Sequence, residues 1–139
     1  MKKMFSKTRA NASLAYCYIE ECVNQPETKL FRYYHWDKKK GMYARRTFLM
    51  EEALLVSYLM YLHPDFLTEL LDKGQLYSYV MRKVREYNKA VDHQTELLCK
   101  SDEEMQLALL SGDTERYSEL ERNNRQKAEK MVRTILYAA

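Results

Sequence analysis

From Gln75 to Tyr137 the apolar positions of the chain keep a helical rhythm. Val80, Val84, Tyr87, Val91, Gln94, Leu98, Ser101, Met105 and Ala108 recur at alternating steps of four and three, the spacing of a coiled-coil seam, and charged residues fill most other positions. A second stripe follows in Tyr117, Leu120, Asn124, Ala128, Met131 and Ile135. The two predict a long helical hairpin that bends at Ser111, Gly112 and Asp113, with a break near Ser101 where Ser-Asp-Glu-Glu can cap a new helix. Folding back at Gly112 brings Asn124 level with Lys100 and Ser101, a polar layer that costs stability and fixes register.

Upstream the pattern changes three times. Leu14, Tyr18 and Cys22 beside Ala15, Ile19 and Val23 make two helical rows, so residues 8 to 24 are expected as an N-terminal helix capped by Ser6 or Thr8 and ended by Gln25 and Pro26. Residues 29 to 46 carry aromatics suited to a pleated surface and a turn, Asp37 to Gly41, predicting a short β-hairpin with strands Leu30 to Trp36 and Met42 to Arg46. Thr47 to Leu62 is apolar nearly all round and predicts a central helix. Pro64 to Lys73 predicts a short one, with Pro64 in the first turn and Gly74 past the end. The expected fold is therefore mainly α: one domain over 1–139, a helical bundle built on the C-terminal hairpin, with a short β-hairpin at about 30–46.

Composition agrees with helices, because three glycines and two prolines in 139 residues leave little material for tight turns. A chain this long buries roughly 70% of its unfolded surface and needs no staples. Net charge is +3, unevenly spread: residues 1 to 46 hold eleven Lys/Arg against four Asp/Glu, giving +7, and the remainder twelve against sixteen, giving −4. The basic third calls for an anionic partner, the acidic remainder of the chain or a second copy. Cys17, Cys22 and Cys99 are odd in number and lack C-x-x-C spacing, the mark of small buried hydrophobes in a reducing compartment. The N-terminal residues lack the apolar segment of a secretory signal, and the longest apolar run, Ala53 to Leu62, is about half a membrane span; no membrane association and a cytoplasmic location are expected.

His63, Pro64, Leu70, Leu71, Gly74, Leu76 and Tyr79 of HPDFLTELLDKGQLYSYV, with Asn123, Asn124, Arg125, Ala128, Glu129, Val132, Leu136, Tyr137 and Ala138 of the tail, form a pattern in the C-terminal portion. In these residues the chain resembles the TnpV family of small proteins encoded in bacterial mobile elements. The likeness covers about residues 42 to 139. The resemblance implies a helical accessory protein of a transposon or conjugative element, brings no catalytic residues, and points toward nucleic acid or host machinery.

Enzyme signals are nearly absent. His35, His63 and His93 fall in three different elements, and Glu51-Glu52 and Asp102 to Glu104 are adjacent residues that point to different sides of a helix. No catalytic residue, no metal ligand and no cofactor is expected. The best functional signal is the basic aromatic hairpin. Cations neutralise phosphates while rings stack unpaired bases, and residues 29 to 46 supply both. Alternation in a strand puts Phe31, Tyr33 and His35 on one face and Arg32, Tyr34 and Trp36 on the other. The candidate binding residues are Arg32, Tyr34, Trp36, Lys38, Lys39, Lys40, Arg45 and Arg46. A second basic row, Arg122, Arg125, Lys127, Lys130 and Arg133, is interleaved with Glu119, Glu121 and Glu129 and is read as self-neutralising. The expected function is non-enzymatic binding of nucleic acid or a nucleic-acid-binding protein by a mobile-element accessory. The alternative is a protein-interaction module that inhibits a host nucleic-acid-guided defence enzyme. Either could form a homodimer through an apolar stripe the core leaves uncovered.

Overall fold

Residues 17–24, expected as part of an N-terminal helix, form a strand, and that changes the fold class. The structure, a computed structural model, describes residues 2–24 and 28–138; the side chains of Asn24 and Thr28, and the expected stop at Gln25 and Pro26, lie outside the described residues. Strands β1 (Lys3–Phe5), β2 (Cys17–Asn24), β3 (Thr28–Asp37) and β4 (Met42–Phe48) form one antiparallel sheet in the order β1-β2-β3-β4. Helices α1 (Glu51–Leu62), α2 (Pro64–Asp72), α3 (Leu76–Ser101), α4 (Glu103–Ser111) and α5 (Thr114–Val132) follow, and a 3-10 turn, Arg133–Tyr137, ends the described chain. The fold is α+β with a substantial sheet. The mainly α bundle is overturned, and so is the helix over 8–24.

The physical reason lies in two competing periodicities. Tyr18, Ile19, Cys22 and Val23 satisfy a four-residue row, but they also suit a pleated surface. In the strand, Cys17 and Ile19 turn inward and are fully buried, while Tyr18, Glu20 and Cys22 are half-buried on the outer side. The expected hairpin is present, extended to Thr28–Asp37 and Met42–Phe48, but as half of a larger sheet. Asp37 organises its turn: one carboxylate oxygen accepts from the Lys39 and Lys40 amides at 3.0 and 3.3 Å. Gly41 closes it at φ 64°, a conformation that side chains resist. Because β4 continues through Phe48, the helix expected from Thr47 begins only at Glu51, and Met50 makes the corner at φ 55°.

The described chain divides into two compact units, Met1–Arg82 and Lys83–Ala139. In the first, α1 lies over β3 and β4 and α2 over β1 and β2, so only one face of the sheet is covered. Ile19, Phe31, Tyr33 and Phe48 supply the sheet's side of the core, and Leu55, Val56, Leu59, Met60, Leu67 and Leu71 the helical side. Burying each such side chain contributes about 1.5–3 kcal/mol. Glu21 enters the same covered face with its carboxylate satisfied: the Tyr61 hydroxyl donates to both oxygens at 2.7 and 2.8 Å, and Lys29 lies 3.5 Å away.

The second unit follows the expected hairpin closely. Asp102 caps α4 by accepting from the Met105 amide at 3.2 Å, and Gly112 ends it in the left-handed conformation at φ 75°. Asp113 caps α5 by accepting from the Arg116 amide. Asn124 is buried and donates to Asp102 Oδ2 at 3.0 Å, so the polar layer forms one or two residues from its expected level. Tyr87, Val91, Ala128 and Leu136 make the local core.

Burial alone would raise the Glu21 carboxyl, but the Tyr61 hydroxyl and the Lys29 ammonium outweigh it and hold the group below its ordinary value of 4.5. A depressed carboxyl contributes stability above its unfolded value and loses it as pH falls through the folded one. Tyr61→Phe should therefore destabilise the first unit by about 1 kcal/mol at pH 7, near the low end of the cost of an unsatisfied buried group because Tyr61 is half exposed. The deficit should shrink as pH falls below 4.5. Hydrogen exchange at β2 amides measures both, and a deficit unchanged between pH 7 and 3 would contradict the assignment.

Candidate nucleic-acid interface

The uncovered face of the sheet can be read directly from the register. Phe5 pairs with Tyr18, Tyr18 with Tyr34 and Tyr34 with Arg45, so these four side chains form one row across all four strands. Lys3, Glu20, Arg32 and Thr47 form the next row, and Trp36 pairs with Tyr43 nearer the turn. Directly paired residues share a face, so Arg32, Tyr34, Trp36 and Arg45 stand together on the side the helices leave open.

The rings on this face are packed on one another. Tyr18 and Tyr34 lie face to face, 4.4 Å between centroids and 12° between planes, and Phe5 continues the stack on Tyr18 at 5.2 Å and 29°. Tyr43 meets both Tyr18 and Trp36 edge-on, each at 5.1 Å. Its hydroxyl donates to the Ala15 carbonyl at 2.6 Å, which leans the side chain across the sheet. The consequence is specific. Tyr34 has spent a face on Tyr18 and offers outward mainly an edge and a hydroxyl, whereas Phe5, at the end of the stack, is 53% exposed.

The cations divide into three groups. Lys38, Lys39 and Lys40 are exposed on the turn, and Arg45 is exposed in the aromatic row; none of the four has a side-chain partner among the described residues. Lys3 and Arg32 share Glu20, at 3.2 and 4.0 Å, so one carboxylate offsets part of two positive charges. Arg46 does not join the face. Its register partner is the buried Tyr33, and its guanidinium lies over the Tyr77 ring, 4.1 Å from the centroid, on the helix-covered side. Adjacent strand residues point to opposite faces, so the expected Arg45/Arg46 pair is split.

Sequence reasoning missed Phe5, Tyr18 and Lys3, and placed Tyr43 in the segment without making it a site residue. A three-residue strand carries almost no pattern. Tyr18 was hidden by the helical reading of residues 8 to 24, although the alternation of Cys17, Tyr18, Ile19 and Glu20 carries the strand signal; Glu21, polar and inward, breaks it. The second basic row is only partly neutralised locally: Arg122, Lys127 and Lys130 are exposed and have no salt bridge or side-chain hydrogen bond among the described residues. Arg125 pairs with Asp92 at 2.9 Å and Glu129 at 3.8 Å, and Arg133 sits over the Tyr87 ring at 5.9 Å.

Cys17 is fully buried, its thiol pushed up by burial, with the Tyr33 hydroxyl donating to the sulfur at 3.2 Å. Burial likewise pushes Tyr33 up, and its bond to Cys17 adds to the effect. Among the described residues no group of three or more His, Cys, Asp or Glu is arranged to hold a metal ion, and no helix is long and apolar enough to cross a membrane. No family model, no curated protein and no solved structure matches the chain.

Because the thiolate is the reactive form, iodoacetamide at pH 8 should leave Cys17 unmodified in the native protein and label it once the sheet unfolds, as peptide mass spectrometry would read. Native labelling of Cys17 at the rate of a free thiol would mean that the covered face opens readily.

Proposed function

We propose that the open face of the sheet binds single-stranded nucleic acid. The observation that carries this reading is the assembly, on one solvent-facing surface, of the Phe5-Tyr18-Tyr34 stack and Trp36 beside Arg45, with the Lys38–Lys40 turn at the end of the same hairpin. A phosphate backbone is attracted by exposed cations that have no competing carboxylate, and unpaired bases offer π-faces and edges to rings. A duplex keeps its bases stacked inside and gains nothing from the rings, so the surface favours single strands. Arg32, partly held by Glu20, contributes less than Arg45, and Arg46 contributes nothing directly. The setting, a non-catalytic accessory protein of a mobile element, rests on the TnpV resemblance of residues 42 to 139.

A fluorescence-anisotropy titration with a labelled single-stranded oligonucleotide, as DNA and as RNA, across a salt series tests the proposal. Affinity should fall with salt at a slope of about −0.7 for each phosphate engaged. Replacing Lys38, Lys39 and Lys40 together by Ala should flatten that slope by about two units, and Trp36→Ala should weaken binding about tenfold, within the 1–3 kcal/mol typical of a stacked base. Arg46→Ala should bind within about twofold of wild type. Equal loss from Arg46→Ala and Arg45→Ala, or no binding to either strand, would overturn the reading.

A further inference from the structure

At the β1 edge of the open face lies a pocket of about 500 Å³ that the basic hairpin does not account for, lined in part by Lys3, Phe5, Arg9, Ser13, Tyr18 and Tyr43. Its volume falls within the range of small-molecule sites. One wall is the end of the ring stack: Phe5 has Tyr18 on one face and is 53% exposed overall. The opposite wall is the connection between β1 and β2, which residues 6 to 16 hold in a fixed shape. Arg9 bridges to Ala15, and the Asn11 carboxamide oxygen accepts from the Ser13 and Leu14 amides, both at 3.0 Å. Ser6 Oγ accepts from the Cys17 amide at 3.1 Å and donates to the Thr8 carbonyl at 2.8 Å. From below, Asp72 Oδ1 accepts from the Lys7 and Thr8 amides. Arg9 is exposed and has no side-chain partner among the described residues, while Lys3, half exposed, pairs with the half-buried Glu20 at 3.2 Å.

We infer that this pocket takes one nucleotide of the bound strand, its base continuing the ring stack on Phe5 and its phosphate held by Arg9 and Lys3. The inference rests on the proposed binding of single strands and names a discrete position within it. Three features point to a nucleotide. The stack Tyr34-Tyr18-Phe5 ends in a ring whose outer side is open, and a fourth planar ring is the natural addition. Two cations on different elements, Arg9 and Lys3, line the same pocket as that ring and suit the phosphate that the sugar joins to the base. The pinned connection is formed before binding, so little ordering is needed when the ligand enters.

The test uses the full chain with a labelled oligothymidylate and its RNA counterpart, titrated by anisotropy. Phe5→Ala and Arg9→Ala should each lower affinity about tenfold, and Phe5→Trp should restore it, because the ring and not the identity of Phe5 carries the contact. Photocrosslinking with 5-bromouracil placed along the strand should label the peptide containing Phe5 from a restricted set of positions. If Phe5→Ala and Arg9→Ala bind as wild type while the lysine-turn variant is weakened, the pocket assignment is overturned and the open-face reading stands. If wild type binds no single strand at all, both fall. If Phe5→Ala weakens binding but Phe5→Trp does not restore it, the contribution of Phe5 is to packing of β1, and the pocket assignment is overturned as well.

Discussion

The register between β2 and β3 is the constraint from which the rest of the first unit follows. It pairs Ile19 with Tyr33 on the covered face and, one residue along, Tyr18 with Tyr34 on the open one. A slip of one residue would send each set to the wrong side, so the demand that Ile19, Phe31 and Tyr33 be buried fixes where Tyr18 and Tyr34 stand. The stacked rings add cross-strand attraction of about 0.5–1.5 kcal/mol per pair on top of this. They serve folding and display at once, since the same stack that fastens the three-residue strand β1 to the sheet leaves Phe5 open at its end.

Charge separates the two units in a way that composition only hints at. Along the C-terminal hairpin, three cations find carboxylates close by: Arg116 with Glu104 and Glu119, Lys100 with Glu96, Arg125 with Asp92. Such exposed pairs stabilise little, yet they leave small net field. In the first unit Arg9, Lys38, Lys39, Lys40 and Arg45 have no such partner among the described residues. Unpaired cations beside rings are what an anionic polymer with unstacked bases would recognise, and on the sheet Arg45 stands in the same row as Phe5, Tyr18 and Tyr34.

Much of the helical architecture was legible because helix signals are local. Pro64, Gly74, Asp102, Gly112 and Asp113 each mark a boundary that the structure places within a residue or two of its expected position. Asn124 was legible as a mid-seam polar residue, and its partner Asp102 lies close to the predicted level. The sheet was half legible. Its central hairpin has a turn and alternating aromatics, whereas β2 mimics a helical row and β1 is too short to show a period. What decided β2 was pairing with β3, a contact between residues far apart in the chain that no local window contains. The candidate site shared that fate. Arg32, Tyr34 and Trp36 were placed together on one face from alternation alone, Arg45 was grouped with Arg46 and not assigned a face, and Phe5 and Tyr18 became visible only when their strands joined the sheet.

The account stands on recognition occurring at the uncovered face of a one-sided sheet. Its most direct test is an amide and aromatic chemical-shift map of the labelled protein as a short single strand is added. Shifts confined to Phe5, Tyr18, Arg32, Tyr34, Trp36, Tyr43, Arg45 and the lysine turn, with Ile19, Phe31, Tyr33 and Phe48 undisturbed, are the predicted result. Shifts concentrated on the C-terminal hairpin, or none at saturating strand, would contradict it.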